Sequence, residues 1–74
     1  MPRLPRISAK EAIRVLERLE FEQVRQTGSH VVMKKKSNHA IGCVVPLHRE
    51  LKIGTLASIL KQAQVSPEEF INNL

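Results

Sequence analysis

The acid–base potential of this chain rests on three histidines, His30, His39 and His48. His30 directly follows Gly28-Ser29, so a flexible turn sits beside it, and it opens the β-branched run Val31-Val32. Side chains alternate across a strand, which predicts His30, Val32, Lys34 and Lys36 on one face and Val31, Met33 and Lys35 on the other. With Val31 and Met33 turned inward, His30 and two lysines lie on an open face, Lys34 roughly 13 Å along the strand from His30. That is a span of a couple of nucleotides. An imidazole titrates near neutrality and can move protons, while nearby lysines can hold phosphate. RNA carries its own nucleophile, the 2′-hydroxyl, so one well-placed base or acid can suffice without a metal. A lone strand histidine also serves structural roles, and the pattern by itself does not choose between the two. His39 is expected in an exposed turn. His48, after Pro46-Leu47, is expected to fix the following loop by hydrogen bonding. The spacing of the three does not resemble a closed zinc site.

The charge balance points the same way. Twelve Lys and Arg stand against seven acids, a net charge of +5. An excess of that size suits a polyanionic or acidic partner, because neutralising phosphates releases counterions; it is also compatible with a merely solvated surface. All seven acids are Glu, and the absence of Asp counts against a two-metal nuclease site, so no metal or other cofactor is expected. With two Phe and no Trp or Tyr, stacking of bases on an aromatic platform is not expected. Cys43 is the only cysteine and lies in the apolar run Ile41 to Val45, which predicts a small core residue in a reducing compartment. Met1 to Ile7 lacks the apolar stretch of a signal peptide, and no segment approaches the roughly 20 apolar residues of a membrane span. A cytoplasmic protein without membrane contact is the expectation.

These residues need a frame, and 74 residues make one domain, 1–74, that buries only about 60% of the surface its unfolded chain exposes. Ser8 followed by Glu11 is a capping box, after which Ala12, Ile13, Leu16 and Leu19 recur at helical spacing. Pro2 and Pro5 keep the preceding arm, with Arg3 and Arg6, out of that helix. Phe21 to Gln26 roughly alternates, Thr27-Gly28-Ser29 reads as a turn, and a second strand runs from His30 to about Lys36. Ser37-Asn38-His39 supplies the next turn, and Ile41 to Val45 is a third strand stopped by Pro46. Leu56, Ile59, Leu60 and Ala63 mark another helix. Ser66-Pro67-Glu68-Glu69 then starts a last one, whose apolar face is Phe70, Ile71 and Leu74. The expected fold is α+β in the order α-β-β-β-α-α, a three-stranded antiparallel sheet with helices on one face.

The segment Arg25-Gln26-Thr27-Gly28-Ser29-His30 resembles the G-S-H signature of the HicA toxins, also called the YcfA-like family of mRNA interferases. Val45-Pro46-Leu47-His48 with Glu50-Leu51-Lys52 is similar to the family's second block. Gly54-Thr55-Leu56, Ile59 to Ala63 and Ser66 to Phe70 continue the match across nearly the whole chain. The resemblance implies a fold like a double-stranded-RNA-binding domain, cleavage of messenger RNA, and neutralisation by a HicB antitoxin. It also implies that His30 is the catalytic residue. Lys34, Lys36, Arg25 and Ser29 are then the residues expected to meet RNA. Two positions depart from the family pattern: Glu20 and Gln64 stand where Gly is common, each just after a helix, where a left-handed cap favours glycine. A non-catalytic RNA-binding module and a subunit that docks an acidic protein remain the alternatives to a ribonuclease toxin.

Overall fold

The computed structural model describes residues 3–74. Along the chain run α1 (Ala9–Arg18), β1 (Phe21–Thr27), β2 (His30–Lys35), β3 (Asn38–Pro46), α2 (Ile53–Ala63) and α3 (Pro67–Ile71). This is the α+β order expected from the sequence, with the strands in the antiparallel order β1-β2-β3. Pro5 lies outside the helix as expected, whereas Pro2 falls outside the described residues. Among the described residues, no helix is long and apolar enough to cross a membrane.

Local chemistry sets the helix ends. Ser8 Oγ accepts from the Glu11 N–H at 3.1 Å, and the Glu11 carboxylate accepts from the Ser8 N–H at 3.1 Å, the reciprocal box read from the sequence. Ser66 Oγ likewise accepts from the Glu69 N–H at 3.1 Å, with Pro67 at the first helical position, where its missing donor costs nothing. Both residues expected to need a left-handed backbone have one: Glu20 has φ 70° and Gln64 φ 59°. At Gln64 the geometry closes α2, since the Val65 N–H donates to the Leu60 carbonyl at 2.9 Å and the Gln64 N–H to Lys61 at 3.2 Å.

One core joins the helices to one face of the sheet. Ala12, Ile13, Val15 and Leu16 of α1, with Leu56, Ile59, Leu60 and Ala63 of α2, bury against Phe21, Val31, Met33, Cys43 and Val45. Phe70 anchors α3 in the same cluster. The Arg18 guanidinium ties α1 to the end of the chain by donating to the Asn73 carbonyl at 2.8 Å. Leu74, expected on the apolar face of the last helix, instead lies beyond it and is 52% exposed. Cys43 is buried as expected, and desolvation pushes its thiol up to about 11 against the pull of nearby Lys34.

The second hairpin turns earlier than the sequence suggested. Lys36 and Ser37 form the turn, and Asn38 and His39 belong to β3, because Asn38 pairs with Lys35 across the hairpin; the Asn38 carboxamide oxygen also accepts from the Ala40 N–H at 3.0 Å. Pro46 is the last residue of β3 rather than the residue beyond it. The outer edge of β3 is partly covered: the Val44 N–H donates to the Gln62 side chain of α2 at 3.3 Å. The outer edge of β1 is blunted by a bulge at Val24, between Gln23 and Arg25 in the register.

Candidate nucleic-acid interface

His30 owes its place to the turn before it. Gly28 has φ 55°, a left-handed backbone that glycine adopts without a Cβ penalty, and the two-residue turn Gly28-Ser29 brings Thr27 opposite His30. That turn is pinned from outside the hairpin, since the Leu47 N–H donates to the Ser29 carbonyl at 2.7 Å. His30 is exposed at the start of β2, while Val31 and Met33 are buried under the helices. The alternation expected for β2 therefore holds from His30 to Lys35.

Directly paired residues share a face, so the register lays out the open side of the sheet in three rows. Thr27, His30 and Pro46 form the first, Arg25, Val32 and Val44 the second, and Glu22, Lys34 and Gly42 the third. Arg25 reaches this face only because of the bulge. Strict alternation from the buried Phe21 would turn residue 25 toward the helices, and the extra residue Val24 shifts the phase by one. Arg25 thus stands in the row beside His30, the nearest cation on that face. The middle of the face is apolar, with Val44 41% exposed and half-buried Val32 beside it, and Val24 is also exposed at the bulge.

Lys34 is half-buried because its stem lies across Gly42. A Cβ at residue 42 would press on the Met33 carbonyl oxygen and come within 2.7 Å of Lys34 Cδ. The absent side chain leaves the space in which the lysine lies flat. In the same row Glu22 meets His39, Nε2 to Oε2 2.9 Å, so His39 is exposed as expected but paired and in a strand. Lys35 belongs to the other face, its ammonium 5.8 Å from the centroid of the Phe21 ring. Lys36, expected beside His30 and Lys34, lies past the end of β2. Its N–H donates to the Glu20 carbonyl at 2.9 Å and its ammonium pairs with the Glu20 carboxylate at 3.8 Å. The structure therefore brings together Arg25, Ser29 and His30 at one end of the sheet, sets Lys34 further along the face, and leaves Lys36 at the opposite end.

The loop after β3 is fixed near His48 by backbone rather than by the ring. The His48 N–H donates to the Pro46 carbonyl at 2.9 Å, and its carbonyl accepts from the Ala9 N–H at 3.0 Å. The His48 side chain is exposed and lines a cavity with Ser8, Lys10 and Arg49. The cations Lys10 and Arg49 thereby reach the end of the molecule that carries His30. Their place was not read from the sequence; the available signal was the (i, i+4) spacing of Lys10 and Arg14 on the polar face of α1.

A family model described as "HicA toxin of bacterial toxin-antitoxin" matches residues 9–65. No curated protein matches the chain. The matched span begins with α1, takes in the whole sheet and the His30 turn, and ends just past α2. On that match the chain belongs to the HicA toxin family, the toxin side of a bacterial toxin–antitoxin system with a cognate antitoxin as partner.

Proposed function

We propose that this toxin is a metal-independent endoribonuclease that cuts messenger RNA in the cytoplasm and so blocks translation, acting as one domain with His30 as its catalytic residue. The observation that carries the reading is the exposed His30 at the rim of the open sheet face, with Arg25 in the adjacent row and Lys34 further along. In the reaction, His30 takes the proton of the 2′-hydroxyl as O2′ attacks the adjacent phosphorus. The bond from phosphorus to the 5′ oxygen breaks, solvent protonates the departing oxygen, and a 2′,3′-cyclic phosphate and a 5′-hydroxyl result. Arg25 and Lys34 neutralise charge on the phosphates, and the Ser29 hydroxyl stands beside the reacting histidine as a hydrogen-bonding group. Lys36 is a weaker contact in this reading, since Glu20 already offsets its charge.

The partner in this reading is a HicB-type antitoxin that covers the open face. Exposed Val44 with its neighbour Val32 supports that role, because paired apolar side chains on a face that also carries cations suit burial under a protein better than contact with phosphate. The test compares the parent chain with His30→Ala on single-stranded RNA in EDTA, with circular dichroism on both and with antitoxin added in a second arm. Loss of cleavage with the fold retained is expected, and the antitoxin should compete with RNA. Full activity in His30→Ala refutes the mechanism, and a ternary complex that cuts at the free rate refutes occlusion.

A further inference from the structure

Two cavities run along the helix side of the His30 turn and share walls. One, of about 340 Å³, is lined by Ser8, Ala9, Lys10, Leu47, His48 and Arg49. The other, of about 420 Å³, lies between α1 and β1 and is bounded by Lys10, Arg14, Glu17, Gln23, Gln26 and Leu47 among others. Lys10 and Leu47 belong to both, so the two adjoin and together outline a groove. Backbone hydrogen bonds tie its wall to the turn before His30 and to the start of α1. Leu47 donates to Ser29, the neighbour of His30, at 2.7 Å, and Ala9, the neighbour of Lys10, donates to the His48 carbonyl at 3.0 Å.

The groove's chemistry suits an extended polyanion. Lys10, Arg14 and Arg49 are exposed cations. Lys10 and Arg14 lie about 6 Å apart along the helix axis, comparable to the step between successive phosphates of an extended strand. Gln23 and Gln26 face the same space, since they pair with Met33 and Val31 on the helix side of the sheet. Three acids lie near these cations, Glu11, Glu17 in the wall of the second cavity and Glu50 beside Arg49 in sequence, and two of them have hydrogen-bond partners. The Glu11 carboxylate is held in the capping box by Ser8, and Glu17 accepts from the Gln23 carboxamide at 3.5 Å. Arg18, next on the same helix, is already committed to the Asn73 carbonyl at 2.8 Å.

We propose that this groove is a second phosphate-binding track for single-stranded RNA, in which Lys10, Arg14 and Arg49 hold the backbone on the helix side while His30 acts at the rim. The strand then wraps the end of the molecule at the Gly28-Ser29 turn instead of lying wholly across the open face. This rests on the ribonuclease reading above and adds where the substrate runs.

The experiment measures binding of a fluorescent single-stranded RNA oligonucleotide at several salt concentrations, in a His30→Ala chain that does not cut it. The comparison is between that chain and the same chain carrying K10Q, R14Q and R49Q, with circular dichroism to verify the fold. Each lost phosphate contact removes about 0.7 from the slope of log K against log salt, so the triple variant should lose about 2. With His30 restored, the triple variant should raise KM and keep kcat, because the removed contacts bind substrate and transition state alike. An unchanged slope in the folded triple variant overturns the track. Absence of RNA binding by the His30→Ala chain and of cleavage by the parent overturns the ribonuclease reading itself, a separate and recognisable failure.

Discussion

Replacing Gln64 by Gly should stabilise the toxin. Gln64 closes α2 at φ 59° and ψ 38°, a left-handed conformation that brings the Cβ of an L-residue close to the following carbonyl oxygen. That costs roughly 1–2 kcal/mol, while the added freedom of glycine in the unfolded chain takes back about 0.5–1, for a net gain of about 0.5–1 kcal/mol. The Gln64 side chain is exposed and the bonds that close the helix use only backbone, so the substitution removes no other stabilising contact described in the structure. In a domain of this size such a gain raises Tm by about 2–8 °C. Glu20→Gly should gain less, because it also removes the ion pair to Lys36. That pair is 58% and 72% exposed on its two sides and contributes only a few tenths of a kcal/mol. The assay is thermal and urea denaturation followed by circular dichroism, with Gln64→Ala as the control that shortens the side chain but keeps the Cβ. Gly no more stable than Ala at position 64 would refute the reasoning, since relief of the Cβ penalty is the whole source of the effect.

Two further outcomes follow from the packing around Lys34. Gly42→Ala should cost about 1–3 kcal/mol, because the new Cβ meets the Met33 carbonyl and the flexible end of Lys34 can yield where the backbone cannot; an unchanged urea midpoint would contradict this. Burial raises the Cys43 thiol from 9.0 to about 11, so the folded chain keeps a proton there that the unfolded chain loses. Its stabilising contribution is complete below about pH 9 and is lost as pH rises toward 11. Stability of the parent should therefore fall more steeply over that window than that of Cys43→Ala, and parallel pH profiles would show that the thiol stays protonated in neither state or in both.

Much of the frame is legible along the chain because it depends on neighbours in sequence. Ser8 with Glu11, and Ser66 with Pro67 and Glu69, are short-range hydrogen-bonding patterns, and they start helices wherever an apolar stripe follows. The phase of β2 is equally local: Val31 and Met33 are the apolar residues, so they bury, and His30, Val32 and Lys34 must then face out. Glu20 and Gln64, whose backbones are left-handed, stand out in the sequence through the resemblance to the family, in which Gly is common at both positions. The turn at Lys36 and Ser37 was less legible, since Ser37 and Asn38 each favour turns and only the pairing of Lys35 with Asn38 selects between them.

What the sequence by itself determined is the order of elements, the starts of the first and last helices and the exposure of His30, all of which follow from periodicity and from hydrogen bonds spanning a few residues. What only the tertiary structure decided is the company that His30 keeps. Arg25 joins its face because a bulge at Val24 reverses the strand phase, and a bulge reflects the fit of β1 to β2 rather than any property of Arg25. Lys36 leaves that face because β2 ends at Lys35 and the Glu20 carbonyl takes its N–H. Lys10 and Arg49, far apart in sequence, line one cavity because the chain around the start of α1 and the loop after β3 are joined by backbone hydrogen bonds, Ala9 to His48 and Leu51 to Ile7. Such long-range closures satisfy donors and acceptors that any residues would carry, so the identities of the side chains along the chain give no sign of them.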